Sequence, residues 1–246
     1  MISEDLRVEA LKTICTILEN GDRLTEDAEN LLEVDRLSSA FALCILAQEE
    51  YGKAFLVHLV QAEAIPWSAD LQRALRDHAT KQLAGVIMHF LRPDDDDFVG
   101  WLEARSESGY KLTPTVADAL NIIRHERIPS QDSWAWTGAE DDPPCDRTAR
   151  RLADGHIDKK KQAALYVGVG SKLQITSNPR NVPKQAVETE LKKTKRIGEF
   201  LSRYDAKHEP MKSIEYEKIC WSLRLMFGLC TMDDYNANWW AWSDPF

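Results

Sequence analysis

Apolar positions recur at helical spacing over most of the 246 residues. Ser3 followed by Glu4 and Asp5 reads as an N-cap with first-turn acids, an arrangement the helix dipole favours. Leu6, Ala10, Ile14, Ile17 and Leu18 then form one stripe, resumed beyond Gly21 by Leu24, Ala28, Leu31 and Leu32. The pattern predicts one long or one broken helix from about Ser3 to Glu33. A second helix is predicted from about Asp35 to Ala64, ending before Pro66. Between Leu37 and Ala47 it is apolar nearly all round, the mark of a helix enclosed by others. A third helix starts at Ser68 as its cap and runs to about Leu91, where Pro93 and the run Asp94 to Asp97 end it.

Weaker periodicity from Trp101 to Ile128 predicts one helix or two, with Pro114 opening a helix after Thr113. The stretch from Pro129 to Asp146 is rich in Pro, Asp and Gly, holds Trp134 and Trp136, and reads as a long loop. It is the strongest candidate boundary, between a helical core over 1–128 and a helical C-terminal part over 147–246 packed on it, whether as one domain or two. Helical character returns from Arg147 to Tyr166. Leu165-Tyr166-Val167 and Leu173-Gln174-Ile175, separated by Gly168, Gly170 and Ser171, suggest a small β-hairpin near residues 165–175. A charged helix from about Lys184 to Tyr204 and a last one from about Ser213 to Cys230 precede a tail with Trp239, Trp240 and Trp242. The fold class expected is all-α, a helical bundle with one small hairpin and extra C-terminal helices.

Composition narrows the function classes. With 43% hydrophobic residues and eight Trp, the chain has ample surface to bury, which excludes disorder. A formal net charge of −9 argues against a nonspecific nucleic-acid coat protein but leaves a local basic cleft open. No apolar run approaches the length of a membrane span, and MISEDLRVEALK lacks the pattern of a signal peptide. Five cysteines, odd in number and without a C-x-x-C pair, speak against a zinc site or a disulfide framework. A cytoplasmic protein with no metal, no cofactor and no membrane contact is the expectation. The acidic run at Asp94 lacks the spaced oxygens of a calcium loop, and no phosphate-binding glycine motif, nucleophile elbow or H-E-x-x-H element is present.

The candidate chemistry lies in the second and third helices. Glu49 falls on the same face as Phe41, Ile45 and Gly52, so it points inward, and Lys53 lies one turn on at i, i+4. A buried carboxylate is costly unless paired. The third helix supplies partners in Arg73, Arg76, His78 and Lys81. If the two helices form an antiparallel hairpin about Pro66, Lys53 and His78 sit at similar depth. Two readings stay open. In one, these residues are an internal structural network. In the other, Glu49, Glu50 and Lys53 hold a polar cleft in which His78 is general acid or base, and Arg73 with Lys81 stabilises developing phosphate charge. Arg150, Arg151, Lys160 and Lys161 belong to a local basic cluster that either lines a phosphate path for RNA or forms a solvated helix face.

At these residues the chain resembles the AbiV-type abortive infection proteins of bacterial phage defence. Ile45-Leu46-Ala47-Gln48-Glu49-Glu50-Tyr51-Gly52-Lys53-Ala54 carries the likeness, preceded by Asp27-Ala28-Glu29-Asn30-Leu31-Leu32 and followed by His78-Ala79-Thr80-Lys81. Lys161-Gln162-Ala163-Ala164-Leu165-Tyr166-Val167 and the helix after Pro179 continue it. The family commonly has an arginine before its tyrosine segment, where this chain has Lys159 to Lys161, and often an acid after it, where this chain has Gly168. More distantly the likeness extends to the HEPN helical bundles, many of them metal-independent ribonucleases that use an arginine and a histidine four to six residues apart. Arg73 and His78 have that form, as do Arg151 with His156 and Arg203 with His208. The resemblance implies a phage-defence effector that cuts RNA or blocks translation, a homodimer, and a phage protein as trigger. The rival expectation is a non-enzymatic protein that binds a phage or ribosome-associated partner.

Overall fold

In a computed structural model of the chain, the residues described are 2–91, 112–129, 147–205 and 214–240. The sequence expectations at Asp94 to Asp97, Trp101, Trp134, Trp136, His208 and Trp242 fall outside them.

Helix α1 spans Glu4–Glu33, and the Ser3 hydroxyl accepts from the Leu6 amide as its N-cap. The helix runs unbroken through Gly21, against which the Tyr51 ring packs so closely that a Cβ there would lie 2.9 Å from Cδ1. Helix α2 spans Leu37–Gln61 and is buried on nearly every side, with Cys44, Ala47 and Phe55 wholly inaccessible. It packs on α1 along its length and also touches the helices that begin at His78, His156 and Lys184.

The third expected helix is two. Helix α3 covers Ala69–Ala74, capped by Ser68, and α4 covers His78–Leu91. Asp77 is the reason for the break: its carboxylate accepts from the Thr80 amide at 2.8 Å and from the Thr80 hydroxyl at 2.6 Å, so it starts a new helix. Helix α5 (Pro114–Ile122) follows the Thr113 cap and runs into a π-turn at Ile123–Arg127. The segment expected as helix from Arg147 to Tyr166 is likewise divided, into α6 (Arg147–Ala153) and α7 (His156–Leu165), at Gly155 with φ of 75°.

Strand β1 (Gly168–Val169) pairs antiparallel with β2 (Ile175–Ser177). The hairpin thus starts after Leu165, which α7 retains, and Leu173 sits in its turn with φ of 59°. A 3-10 turn at Pro179–Asn181 leads to α8 (Lys184–Asp205), and α9 (Ile214–Met226) and α10 (Met232–Trp240) complete the described chain. Helix α10 stands where a tail was expected. One apolar cluster takes in residues from Ala10 to Phe227, so helices from both sides of the 130–146 stretch share a core. The architecture is an all-α bundle with a two-stranded hairpin. No helix among the described residues is long and apolar enough to cross a membrane.

Candidate functional site

Four polar side chains from two helices, α4 and α7, meet Glu49 of α2. Its side chain, 2% exposed, accepts from His78 Nδ1 at 2.5 Å on Oε2 and from Lys161 Nζ at 2.9 Å on Oε1. Lys81 Nζ stands 3.4 Å from Oε2, and Gln82 Nε2 donates to Oε1 at 3.2 Å. Lys161 Nζ also contacts Asp158 Oδ1 at 2.9 Å and His78 Nδ1 at 3.3 Å. Both ammonium groups are nearly closed off from solvent. The imidazole is not: the His78 side chain is 48% exposed, and its Nε2 has no partner among the described residues.

Helix register explains the meeting. Glu49 lies mid-way along α2, on the side turned to α4 and α7, while His78 opens α4 and Lys81 follows one turn later. His78 pairs with Glu49, one turn farther from the Pro66 corner than the Lys53 level expected. The extra reach comes from non-helical residues around Pro66 and at Leu75–Asp77, which advance the chain by up to about 3.3 Å each against about 1.5 Å in a helix. Gly52 makes the approach of the two helices possible. A Cβ there would overlap the Lys81 carbonyl oxygen and lie 3.0 Å from its carbon.

Burial pushes the Glu49 carboxyl upward, but hydrogen bonds from Lys161 and His78, with the charges of Lys161 and Lys81, outweigh it and hold Glu49 below its ordinary pKa. Asp158 is lowered in the same way, burial again being outweighed by its bond to Lys161. Burial pulls Lys161 down, and the two carboxylates more than reverse this, leaving its pKa raised. Glu49, Asp158 and Lys161 therefore stay charged through neutral pH.

The other expected residues are placed elsewhere. Glu50 turns toward α1, where it accepts from Asn20 at 3.2 Å, and Lys53 pairs with Glu50 at 2.6 Å rather than with Glu49. Arg73 points outward, 72% exposed, and is held by Asp70. The chain does bend between Arg73 and His78, yet the guanidinium makes no contact with the cluster among the described residues. Arg150 is clamped by both oxygens of Glu126, and Arg151 donates to His156 Nε2 at 2.9 Å. Slight desolvation and the cations Arg151, Lys160 and Lys159 push the His156 pKa down. Lys160 lines a groove of about 490 Å³ between α2, α7 and the start of α8, with Phe41, Ile45 and Ile157 as its apolar wall. Lys161, expected among phosphate-facing cations, is instead the buried centre of the cluster. Sequence reasoning missed Asp158 altogether. The available signal was the apolar face of α7, where Lys161 shares i, i+4 and i, i+7 spacing with Ile157 and Ala164.

A half-exposed imidazole whose inner nitrogen is held by a buried carboxylate is oriented for proton transfer through its outer nitrogen. Glu49, His78 and Asp158 also present ligand atoms within 4.8 Å of one another, a grouping of the kind that can hold a metal ion. No curated protein and no solved structure matches the chain. Residues 9–199, including every member of the cluster, match the AbiV family of the HEPN class, and the chain belongs to that family of abortive-infection, phage-defence proteins.

Proposed function

We propose that the chain is a phage-defence effector that cuts RNA without a metal, with His78 as its acid–base residue. The observation that carries this is the Glu49–His78 pair: Nδ1 is tied to a buried carboxylate at 2.5 Å, while the imidazole is half exposed and its Nε2 has no partner among the described residues. In such an arrangement Nε2 takes the proton from a ribose 2′-hydroxyl as that oxygen attacks the adjacent phosphorus. The P–O5′ bond breaks, leaving a 2′,3′-cyclic phosphate, and the proton passes to the departing 5′-oxygen. Lys81 and Lys161 hold Glu49 in place. Arg73, turned to Asp70, has no part in this step.

Incubating the purified protein with total RNA and a chelator tests it. Cleavage by the wild type, lost in His78→Ala and strongly reduced in Glu49→Gln, is expected; intact RNA with the wild type refutes the reading.

One observation favours a second reading, in which the protein acts by binding a phage or ribosome-associated partner. Leu165, Tyr166, Val167, Val169, Leu173 and Ile175 around the hairpin are all exposed, Leu173 at 86%. Exposed apolar side chains gathered around one small hairpin are the kind of surface that protein partners cover. On this reading His78→Ala remains toxic in cells and a polar substitution at Leu173 does not.

A further inference from the structure

We propose that Glu49, His78 and Asp158 form a cation site whose resident cation is the Lys161 ammonium, standing where a divalent metal would otherwise bind. The three groups come from α2, α4 and α7, and their ligand atoms converge within 4.8 Å. Lys161 Nζ lies among them, 2.9 Å from Glu49, 2.9 Å from Asp158 and 3.3 Å from His78 Nδ1. The two carboxylate distances are those of an ammonium, while His78 Nδ1, its N–H donated to Glu49, stands beside the group: a charged N–H···O bond spans about 2.7–2.9 Å, whereas zinc to oxygen or nitrogen spans about 2.0–2.2 Å. The shell is thus sized for an ammonium group, and to grip zinc the carboxylates must close in by about 0.8 Å and His78 Nδ1 by about 1.2 Å.

Charge points the same way. Two carboxylates face Lys161, and the cluster's second cation, Lys81, reaches only Glu49 among the described residues, at 3.4 Å. With Lys161 removed, Asp158 loses its cationic partner and Glu49 keeps one of two. The vacated space is then anionic, carries an imidazole nitrogen, and suits a borderline metal such as zinc. A tethered ammonium differs from a metal in that no chelator removes it. Lys161 is therefore a positioning residue: by holding Oε1 of Glu49 it leaves Oε2 to orient His78.

This concerns the same site as the ribonuclease reading, but its test uses no RNA, so either can fail alone. Thermal unfolding of the full chain is followed with and without Zn²⁺ for the wild type, Lys161→Ala, Lys161→Arg, and Lys161→Ala combined with Asp158→Asn. The expected result is no Zn²⁺ shift in the wild type or in Lys161→Arg. Lys161→Ala gains several degrees at one Zn²⁺ per chain, and most of that gain is lost in the double variant. Should Lys161→Ala be unfolded on its own, refolding on Zn²⁺ addition supports the proposal. A wild-type shift as large as that of Lys161→Ala, or a Lys161→Ala protein that Zn²⁺ neither stabilises nor refolds, overturns it.

Discussion

Glu49→Gln is the most direct perturbation of the cluster, because it removes one charge and almost no volume. In the wild type the carboxylate, 2% exposed, faces Lys161 at 2.9 Å, Lys81 at 3.4 Å and His78 at 2.5 Å. The amide leaves Lys81 without its carboxylate and leaves Lys161 with Asp158 alone. Breaking a buried ion pair by removing one partner costs about 3–5 kcal/mol. Because Lys161 keeps Asp158, the lower end applies, and the expected loss is about 3 kcal/mol. For a chain of this size that corresponds to a fall in Tm of about 6–12 °C. Urea denaturation at pH 7 gives the free energy, and calorimetry gives the Tm.

The pH dependence sharpens the test. A carboxylate whose folded pKa is depressed stabilises the fold above its unfolded value, near 4.5, and that contribution is lost as pH falls through the folded value. Glu49 and Asp158 both behave so. Lys161 has the opposite sign: its raised pKa adds stability below its unfolded value of 10.5, lost only as pH climbs past the folded one. The wild type therefore has a stability plateau between these limits, and the gap between it and Glu49→Gln narrows as acid protonates Glu49. A deficit below about 0.5 kcal/mol at pH 7, or one that stays constant into acid, refutes the claim that Glu49 is an ionised, charge-paired group.

Three further outcomes are expected. Gly52→Ala forces a Cβ onto the Lys81 carbonyl and destabilises by about 1–3 kcal/mol, read from urea denaturation, whereas Gly85→Ala, whose Cβ meets nothing within 4 Å, does not. Asp77→Ala removes the cap of α4 and costs about 0.5–2 kcal/mol; if His78 is the acid–base residue, cleavage falls with it because the cap also sets where His78 begins the helix. Arg73→Ala changes stability by less than about 0.5 kcal/mol and leaves cleavage intact, since its guanidinium is 72% exposed; loss of cleavage there would return Arg73 to the chemistry.

What the sequence makes legible is what repeats. The stripe from Leu6 to Leu32 gives α1 nearly to the residue, the all-round apolar run from Leu37 to Ala47 gives α2 to within about three residues at either end, and the inward face of α2 gives the burial of Glu49. What it hides depends on single residues and on distance along the chain. Asp77 breaks the third helix although the apolar period continues across it, because one carboxylate capping Thr80 outweighs propensity. Lys161 is 112 residues from Glu49, and nothing local distinguishes it from Lys159 and Lys160 except the face of α7 it occupies. Glu50 and Lys53 mislead for the converse reason. Their spacing is suitable for the site, but α1 lies against that face: Asn20 takes Glu50, and Glu50 in turn takes Lys53.

The family block around Glu49 then makes sense as one device rather than a string of separate roles. Tyr51 is the α1-facing member: its hydroxyl donates to Asp22 at 2.7 Å and lies 3.1 Å from the Thr25 hydroxyl, which fixes the rotation of α2 about its own axis. That rotation sends Glu49 toward α4 and α7, and Gly52, three residues on, lets the α4 backbone come close enough for Lys81 and His78 to reach it. If His78 is the acid–base residue, the arrangement couples stability to chemistry in a fixed direction. Loosening either contact moves Glu49 relative to His78 before it unfolds the bundle, because the ion pairs tolerate a few tenths of an ångström and the 2.5 Å bond to the imidazole does not. Tyr51→Phe, which keeps the ring and loses the hydroxyl, is therefore expected to cost only about 1–2 kcal/mol of stability. If His78 is the acid–base residue, the same change lowers cleavage more than that loss accounts for.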